Sequence, residues 1–181
     1  MDVQRTSVTG IQWVGLGRVK QETRKGYFLL CMALWSTVSF LFIHHFLVTT
    51  VVVQGKSMVP TLNPGDCCFV NCLLPRLRDY KRGDIVVIRD SCRHELIVKR
   101  IVGLPQDRVQ LRGGRVYVNG QLLPEQYLDS RTRTYSRQLR DRVITIGQDS
   151  YFVMGDNRLE SDDSRFFGDI DRYDLIGIIS R

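Results

Sequence analysis

The sequence predicts a mainly β fold: an antiparallel, β-rich domain carried on a single N-terminal transmembrane helix. Two observations point there. Short apolar runs rich in valine and isoleucine recur from Val51 to Ile179, broken by Gly, Pro, Asn and Asp turn signals, with no internal repeat and no helical period. Ahead of them, Gly26 to Ile43 carries no charge, and a helix needs roughly 20 such residues to cross a bilayer.

A chain of 181 residues suits one domain with an appendage. Three parts are expected: a basic tail over 1–25, an anchor over 26–45 and a β-rich domain over 46–181. The tail holds Arg5, Arg18, Lys20, Arg24 and Lys25 without an apolar period. The anchor ends at His44-His45. It is long for the core of an export signal, no small-x-small site follows it, and it lacks the polar stripe of a core helix. Basic residues crowd its N-terminal flank and are missing from Gly26 to Gly55, so the positive-inside rule keeps the tail in the cytoplasm and the rest outside. Phe46, Leu47 and the following valines then lie near the lipid surface.

In the exported part, Val51-Val52-Val53 runs toward Ser57, and Asn63-Pro64-Gly65-Asp66 marks a turn beyond it. Strands are expected from Cys67, at Ile85-Val86-Val87-Ile88, over 96–102, at Val109-Gln110-Leu111, at Val116-Tyr117-Val118, over 143–146 and over 151–154. Gly113-Gly114 and Asn119-Gly120 read as tight hairpin turns, which makes the sheet antiparallel and local. The arginine-rich stretch Arg131 to Arg142 reads as an exposed insertion. Net charge is +7, from 21 arginines and five lysines, which alone selects no partner. Cys67, Cys68, Cys72 and Cys92 show no paired C-x-x-C spacing, so no metal site, cofactor or disulfide is indicated.

Ser57 sits where an extended segment meets a bend, stiffened by Pro60 and opened by Gly55. That suits a nucleophile, and equally a serine that happens to end a strand. A nucleophilic serine needs a base. His44 and His45 stand at the membrane edge and His94 in a polar stretch, which leaves lysine, a base when burial keeps it neutral. Lys20 and Lys25 lie on the wrong side, Lys81 is in a turn, and Lys56 points away from its neighbour Ser57 in an extended segment. Lys99 shares a strand face with Ile97 and Ile101. Lys99 and Arg100 also read as a basic pair on a solvated edge.

Three boxes in order carry a resemblance: Ser57-Met58-Val59-Pro60-Thr61-Leu62, Val98-Lys99-Arg100-Ile101-Val102-Gly103-Leu104-Pro105, and Gly155-Asp156-Asn157 with Ser161, Asp163, Ser164 and Arg165. The chain resembles the type I signal peptidases over about residues 46–179 and the preceding anchor. The resemblance implies that Ser57 attacks the scissile carbonyl and neutral Lys99 takes its proton. It implies that Ser161 orients the lysine amine, and that Asp163 and Arg165 support the site with Gly155, Asp156 and Asn157. The Ser57 N–H is the implied oxyanion donor. The hydroxyl that some members carry two residues earlier is replaced by Gly55, and such a donor is worth about 2.7–4 kcal/mol. The implied substrates are signal peptides of exported preproteins, laid as an added strand and cut after Ala-x-Ala sites. Val53, Met58, Leu62 and Val98 are the candidates for the pocket walls, and each also reads as core.

The expected partners are therefore signal peptides and membrane lipid, without nucleic acid; oligomeric state is not implied. The expected place is a bacterial cytoplasmic membrane rather than an organellar one, because residues 1–25 lack a long amphipathic presequence. Gln106 replaces the family's usual glycine in the turn after the lysine strand. Two other readings fit parts of the chain. One is a soluble self-cleaving repressor with a Ser/Lys pair, which the uncharged run and the Gly155 box oppose. The other is a tethered, non-enzymatic binding domain using Arg131 to Arg142.

Overall fold

The computed structural model describes residues 16–46, 48–90, 94–136, 139 and 142–180. The start of the basic tail, Leu47, Cys92, Arg93, Arg140 and Asp141 lie outside the described residues, as do the side chains of His44, His45 and Phe46. The chain separates into two units between Phe42 and Ile43.

The first unit holds most of helix α1 (Leu16–Phe46). This helix begins well before Gly26, inside the segment read as a tail. The reason is local: Arg18, Lys20, Gln21, Glu22, Arg24 and Lys25 are all good helix formers. Along the uncharged run, the consecutive residues Tyr27, Phe28, Leu29 and Leu30 are all exposed, and so are Leu34, Trp35 and Leu41. Among the described residues no helix is long and apolar enough to cross a membrane.

The second unit is mainly antiparallel β-structure, as expected. Its strands are β1 (Val48–Val52), β2 (Cys67–Asn71), β3 (Ile85–Asp90), β4 (Glu95–Gly103), β5 (Arg108–Arg112), β6 (Arg115–Val118), β7 (Gln121–Leu122), β8 (Val143–Thr145), β9 (Ser150–Met154), β10 (Ile170–Asp171) and β11 (Leu175–Ser180). They form a seven-stranded sheet in the order β1-β2-β11-β3-β4-β9-β10 and a four-stranded sheet in the order β7-β6-β5-β8. The small sheet is local, and its turns follow the sequence: Gly113 and Gly114 have φ of 59° and 73°, and Asn119 and Gly120 have 53° and 80°. Positive φ at both central residues is what a type I′ hairpin requires.

The large sheet is not local, which corrects the sequence reading. Strand β11 inserts between β2 and β3, and β9 returns to pair with β4 after the whole small sheet has intervened. Gly103 makes the junction possible. A Cβ there would stand 2.3 Å from Ile146 Cδ1 and 2.9 Å from Val109 Cγ2, so the two sheets meet on bare backbone. Strand β9 then serves two cores by alternation. Tyr151 and Val153 pack with Val86, Ile88 and Ile101, while Phe152 and Met154 pack with Val102, Val109 and Val116. A third cluster gathers Val53, Met58, Leu62, Val70 and Val87.

Three short helical turns had no signal in the sequence: α2 (Leu74–Leu77), α3 (Ser164–Phe167) and a 3₁₀ turn at Arg172–Asp174. Elements of three or four residues are too short to show a period, and the two α-helical turns are set by local devices. Pro75 opens α2, and the Asp163 carboxylate caps α3 by accepting from the Arg165 N–H at 3.2 Å. The arginine-rich stretch is only partly the solvated insertion expected. Arg131, Arg133 and Tyr135 are exposed, but Thr134 is buried and its N–H donates to the Gly114 carbonyl at 3.0 Å.

Gln106 holds φ of 66°, in the left-handed region where glycine is favoured, and its side chain is exposed. Gln106→Gly is therefore expected to raise stability by about 0.5–1 kcal/mol. An increased urea midpoint at unchanged slope checks this; a lower midpoint contradicts it.

Candidate active site

After β1 the chain turns through residues 55–62, held where Val59 N donates to Lys56 O at 3.1 Å and Leu62 N to Met58 O at 2.9 Å. Met58 is buried in the cluster with Val53 and Leu62 and holds the segment in place, while Ser57 beside it is half-buried. Two carbonyls flank the Ser57 N–H, and both are held by Asn157. Its main-chain N–H donates to Ser57 O at 2.9 Å, and its Nδ2 to Lys56 O at 3.2 Å.

Lys99 lies on β4 opposite Val86 and is 4% exposed. Arg100, next to it, is also buried, so the pair does not form a solvated edge. The Lys99 Nζ is 3.1 Å from Ser161 Oγ. Ser161 in turn packs on Gly155, and Gly155 on the serine segment. A Cβ at position 155 would stand 2.2 Å from Ser161 Oγ and 2.5 Å from the Ser57 carbonyl oxygen. Lys56, by contrast, is exposed.

Buried ion pairs fix this loop. Arg165 Nε and Nη2 donate to the two oxygens of Asp163 at 2.7 and 2.8 Å, and Nη1 donates to Arg158 O at 2.8 Å. Asp163 Oδ2 also accepts from the Gly155 N–H at 3.0 Å. Arg100 grips Asp156 through Nε at 2.8 Å and Nη2 at 2.6 Å. These bidentate forks are the strong kind of charge-assisted hydrogen bond.

Sequence reasoning missed a third pair and its surroundings. Arg158 Nε donates to Gly155 O at 3.0 Å, and its guanidinium is held by Glu125 and Thr134. Tyr127 donates its hydroxyl to Glu125 at 3.0 Å, and Arg100 lies 4.0 Å over its ring. Burial, and then the neighbouring Glu125 carboxylate, push the Tyr127 hydroxyl up and keep it a donor. The adjacency of Arg100 to Lys99 and of Arg158 to Asn157 was the available signal. Glu125, Tyr127 and Thr134 lie in irregular segments with no pattern to mark them.

Ser57 and Lys99 open on one cleft of about 560 Å³, between residues 50–55 on one side and 95–99 on the other. Val53, Met58 and Val98 line it. Leu62 belongs to the core cluster with Val53 and Met58 and is not among the described lining residues. The register of β9 on β4 starts at Arg100, so Glu95–Val98 have no strand neighbour on that side among the described residues. Strand β1 likewise has β2 as its single strand neighbour. The cleft thus lies between two strand edges.

Residues 24–181 match the family described as signal peptidase, peptidase S26. The chain belongs to this family. A signal peptidase I of Bacillus amyloliquefaciens is 41% identical over 128 residues, which cover 68% of each chain. Signal peptidase I T of Bacillus subtilis (strain 168) is 39% identical over 131 residues, 69% of this chain and 67% of its own. A signal peptidase I of Bacillus caldolyticus is 37% identical over 145 residues, 73% of this chain and 77% of its own. The resemblance to type I signal peptidases drawn from the three boxes is thereby confirmed, and with it a peptidase activity.

For a signal peptidase built this way, Gly155→Ala forces apart the serine segment and Ser161. Peptidase activity is expected to fall at least about 100-fold, since small misplacements of reacting groups cost that much. Stability is expected to fall by about 1–3 kcal/mol, the usual cost of overpacking. Wild-type rates in a folded Gly155→Ala variant would contradict the contact.

Proposed function

We propose that the protein is a membrane-bound serine endopeptidase that removes signal peptides from exported preproteins after small-x-small sites, with Ser57 as nucleophile and neutral Lys99 as general base. One observation carries this reading: the buried Lys99 amine is 3.1 Å from Ser161 Oγ, and Ser161 is joined through Gly155 to Ser57, which lines the same cleft as Lys99. Burial disfavours the ammonium form, so the amine can accept a proton at working pH. Ser161 orients it, and the Asp163–Arg165 pair holds Ser161 through its carbonyl, which accepts from Arg165 Nη2 at 3.3 Å.

In the reaction, Ser57 Oγ adds to the scissile carbonyl as its proton passes to Lys99 Nζ. The carbonyl oxygen becomes an oxyanion facing the Ser57 N–H. Collapse breaks the C–N bond, and the ammonium of Lys99 returns the proton to the leaving amine. Water then attacks the ester with Lys99 again as base. An extended substrate fits between the two strand edges, adding main-chain hydrogen bonds on both sides. Residues one and three before the cut face the same way in a strand, so the apolar walls of Val53, Met58 and Val98 would select small side chains there.

The anchor rests on α1. A helix apolar on all sides belongs in a protein core or a bilayer, and the consecutive exposed residues Tyr27 to Leu30 cover every side of α1. With the basic flank inside, residues beyond the span face the outer side of a bacterial cytoplasmic membrane. A signal peptide held in the same bilayer would meet the cleft at raised effective concentration.

On a preprotein carrying an Ala-x-Ala site, Ser57→Ala and Lys99→Ala are each expected to lower cleavage by at least about 1000-fold, as loss of a nucleophile or its base does. Lys56→Ala should keep it. Activity should rise with pH as the Lys99 ammonium loses its proton, and fall as pH drops and the base is occupied. An active Lys99→Ala enzyme, or a profile falling between neutral and mildly alkaline pH, would defeat the proposal.

A further inference from the structure

We infer that Asn157 is a positioning residue for the oxyanion site: it aims the Ser57 N–H into the cleft by holding the carbonyl on the other side of the same peptide unit. This rests on the reading of Ser57 as nucleophile and deepens it. The Lys56–Ser57 peptide is trans, so its C=O and N–H point in opposite directions. Wherever the Lys56 carbonyl is tied, the Ser57 N–H faces the other way.

That carbonyl is tied twice. It accepts from Asn157 Nδ2 at 3.2 Å and from Val59 N at 3.1 Å, which engages both of its lone pairs. The Val59 bond lies within the turn and moves with it. The Asn157 bond comes from the loop that also carries Gly155 and leads to Ser161. Asn157 adds a second tether, its own N–H on Ser57 O at 2.9 Å, so two successive carbonyls are fixed by one residue. Rotating the peptide plane to turn the Ser57 N–H away breaks the side-chain bond. Ser57 N donates to no protein acceptor among the described residues, which leaves this donor available to the substrate.

Position 55 raises the importance of that aim. Gly55 has no side chain and is exposed, and a Cβ built there meets nothing within 4 Å. No hydroxyl from that position shares the developing charge, so the direction of the Ser57 N–H bears more of the stabilisation. A fixed dipole acts in the transition state without reorganising, whereas a loosely held one must be ordered during the reaction.

The test uses the full-length enzyme in detergent with a soluble Ala-x-Ala peptide. Removing an oxyanion donor outright costs about 100- to 1000-fold in kcat, so losing its aim should cost about 10- to 100-fold. Asn157→Ala is expected to show that loss with KM changed less than about threefold, since the ground-state carbonyl gains little from the oxyanion site. Asn157→Asp keeps the shape but has no Nδ2 donor, and should match or exceed the loss. It also serves if the alanine variant fails to fold. Binding of a peptide aldehyde, which forms a tetrahedral adduct with the serine, should weaken in step with kcat. Binding of an uncleavable peptide should hold, and in the uncharged Asn157→Ala variant the ascending pH limb should stay in place because the Ser161 contact is untouched. A kcat within about threefold of wild type in either variant overturns the inference. So does a loss confined to KM, or one in Asn157→Ala accompanied by a displaced pH limb. An active Ser57→Ala enzyme in the same assay would instead remove the reading of the nucleophile on which the inference stands.

Discussion

Where the backbone at Gly155 meets the carbonyl of Ser57, three distant parts of the chain are held within a few ångströms. Strand β4 brings Lys99, the segment after β1 brings Ser57, and the loop after β9 brings Ser161 and Asn157. No side chain fits at position 155, because both neighbours are nearer than a Cβ contact allows. The non-local topology makes this meeting possible. Strand β9 must return beside β4 for Gly155 to arrive over the serine segment, and Gly103 lets β4 pass closely enough under the small sheet for that return.

The contact needs support that apolar packing does not give, because hydrophobic association has no direction. The supports are buried ion pairs. Arg165 with Asp163, Arg100 with Asp156 and Arg158 with Glu125 each fix the loop from a different side, and all three arginines are nearly inaccessible. Such pairs contribute little net stability, since desolvation offsets much of the attraction, yet losing one partner costs about 3–5 kcal/mol. Their use is geometric: a guanidinium fork fits a carboxylate in few orientations. Among the described residues no buried side-chain nitrogen or oxygen lacks a hydrogen-bond partner, so the network is complete enough to be rigid.

The sequence showed the parts that local chemistry determines. Gly113-Gly114 and Asn119-Gly120 were legible because few dipeptides accept positive φ twice, and the longer strands were legible from their composition, whereas the two-residue strands β7 and β10 were too short to show. The burial of Lys99 was open to two readings, and the structure decided it: Lys99 and Arg100 are both buried, with a strand on each side of β4 at Arg100. The pairing of β11 between β2 and β3 was not legible, because register between strands so far apart in the chain leaves no local trace. The role of Glu125 was hidden for a similar reason. A single carboxylate in an irregular segment looks solvated until a distant arginine is folded against it. Helix α1 showed the opposite limit, for charged helix formers extended it into a segment whose polarity read as a tail.

On the proposed mechanism, this scaffold keeps the Lys99 amine neutral at the pH where the enzyme works. Nitrogen NMR of side-chain-labelled lysine, with Lys99→Arg to assign the signal, measures this without reference to turnover. Lys99 is expected to titrate well below the ordinary lysine value of about 10.4, because burial disfavours its ammonium form. A Lys99 signal that stays protonated up to the ordinary value would contradict the account, because no other buried amine among the described residues stands beside Ser161.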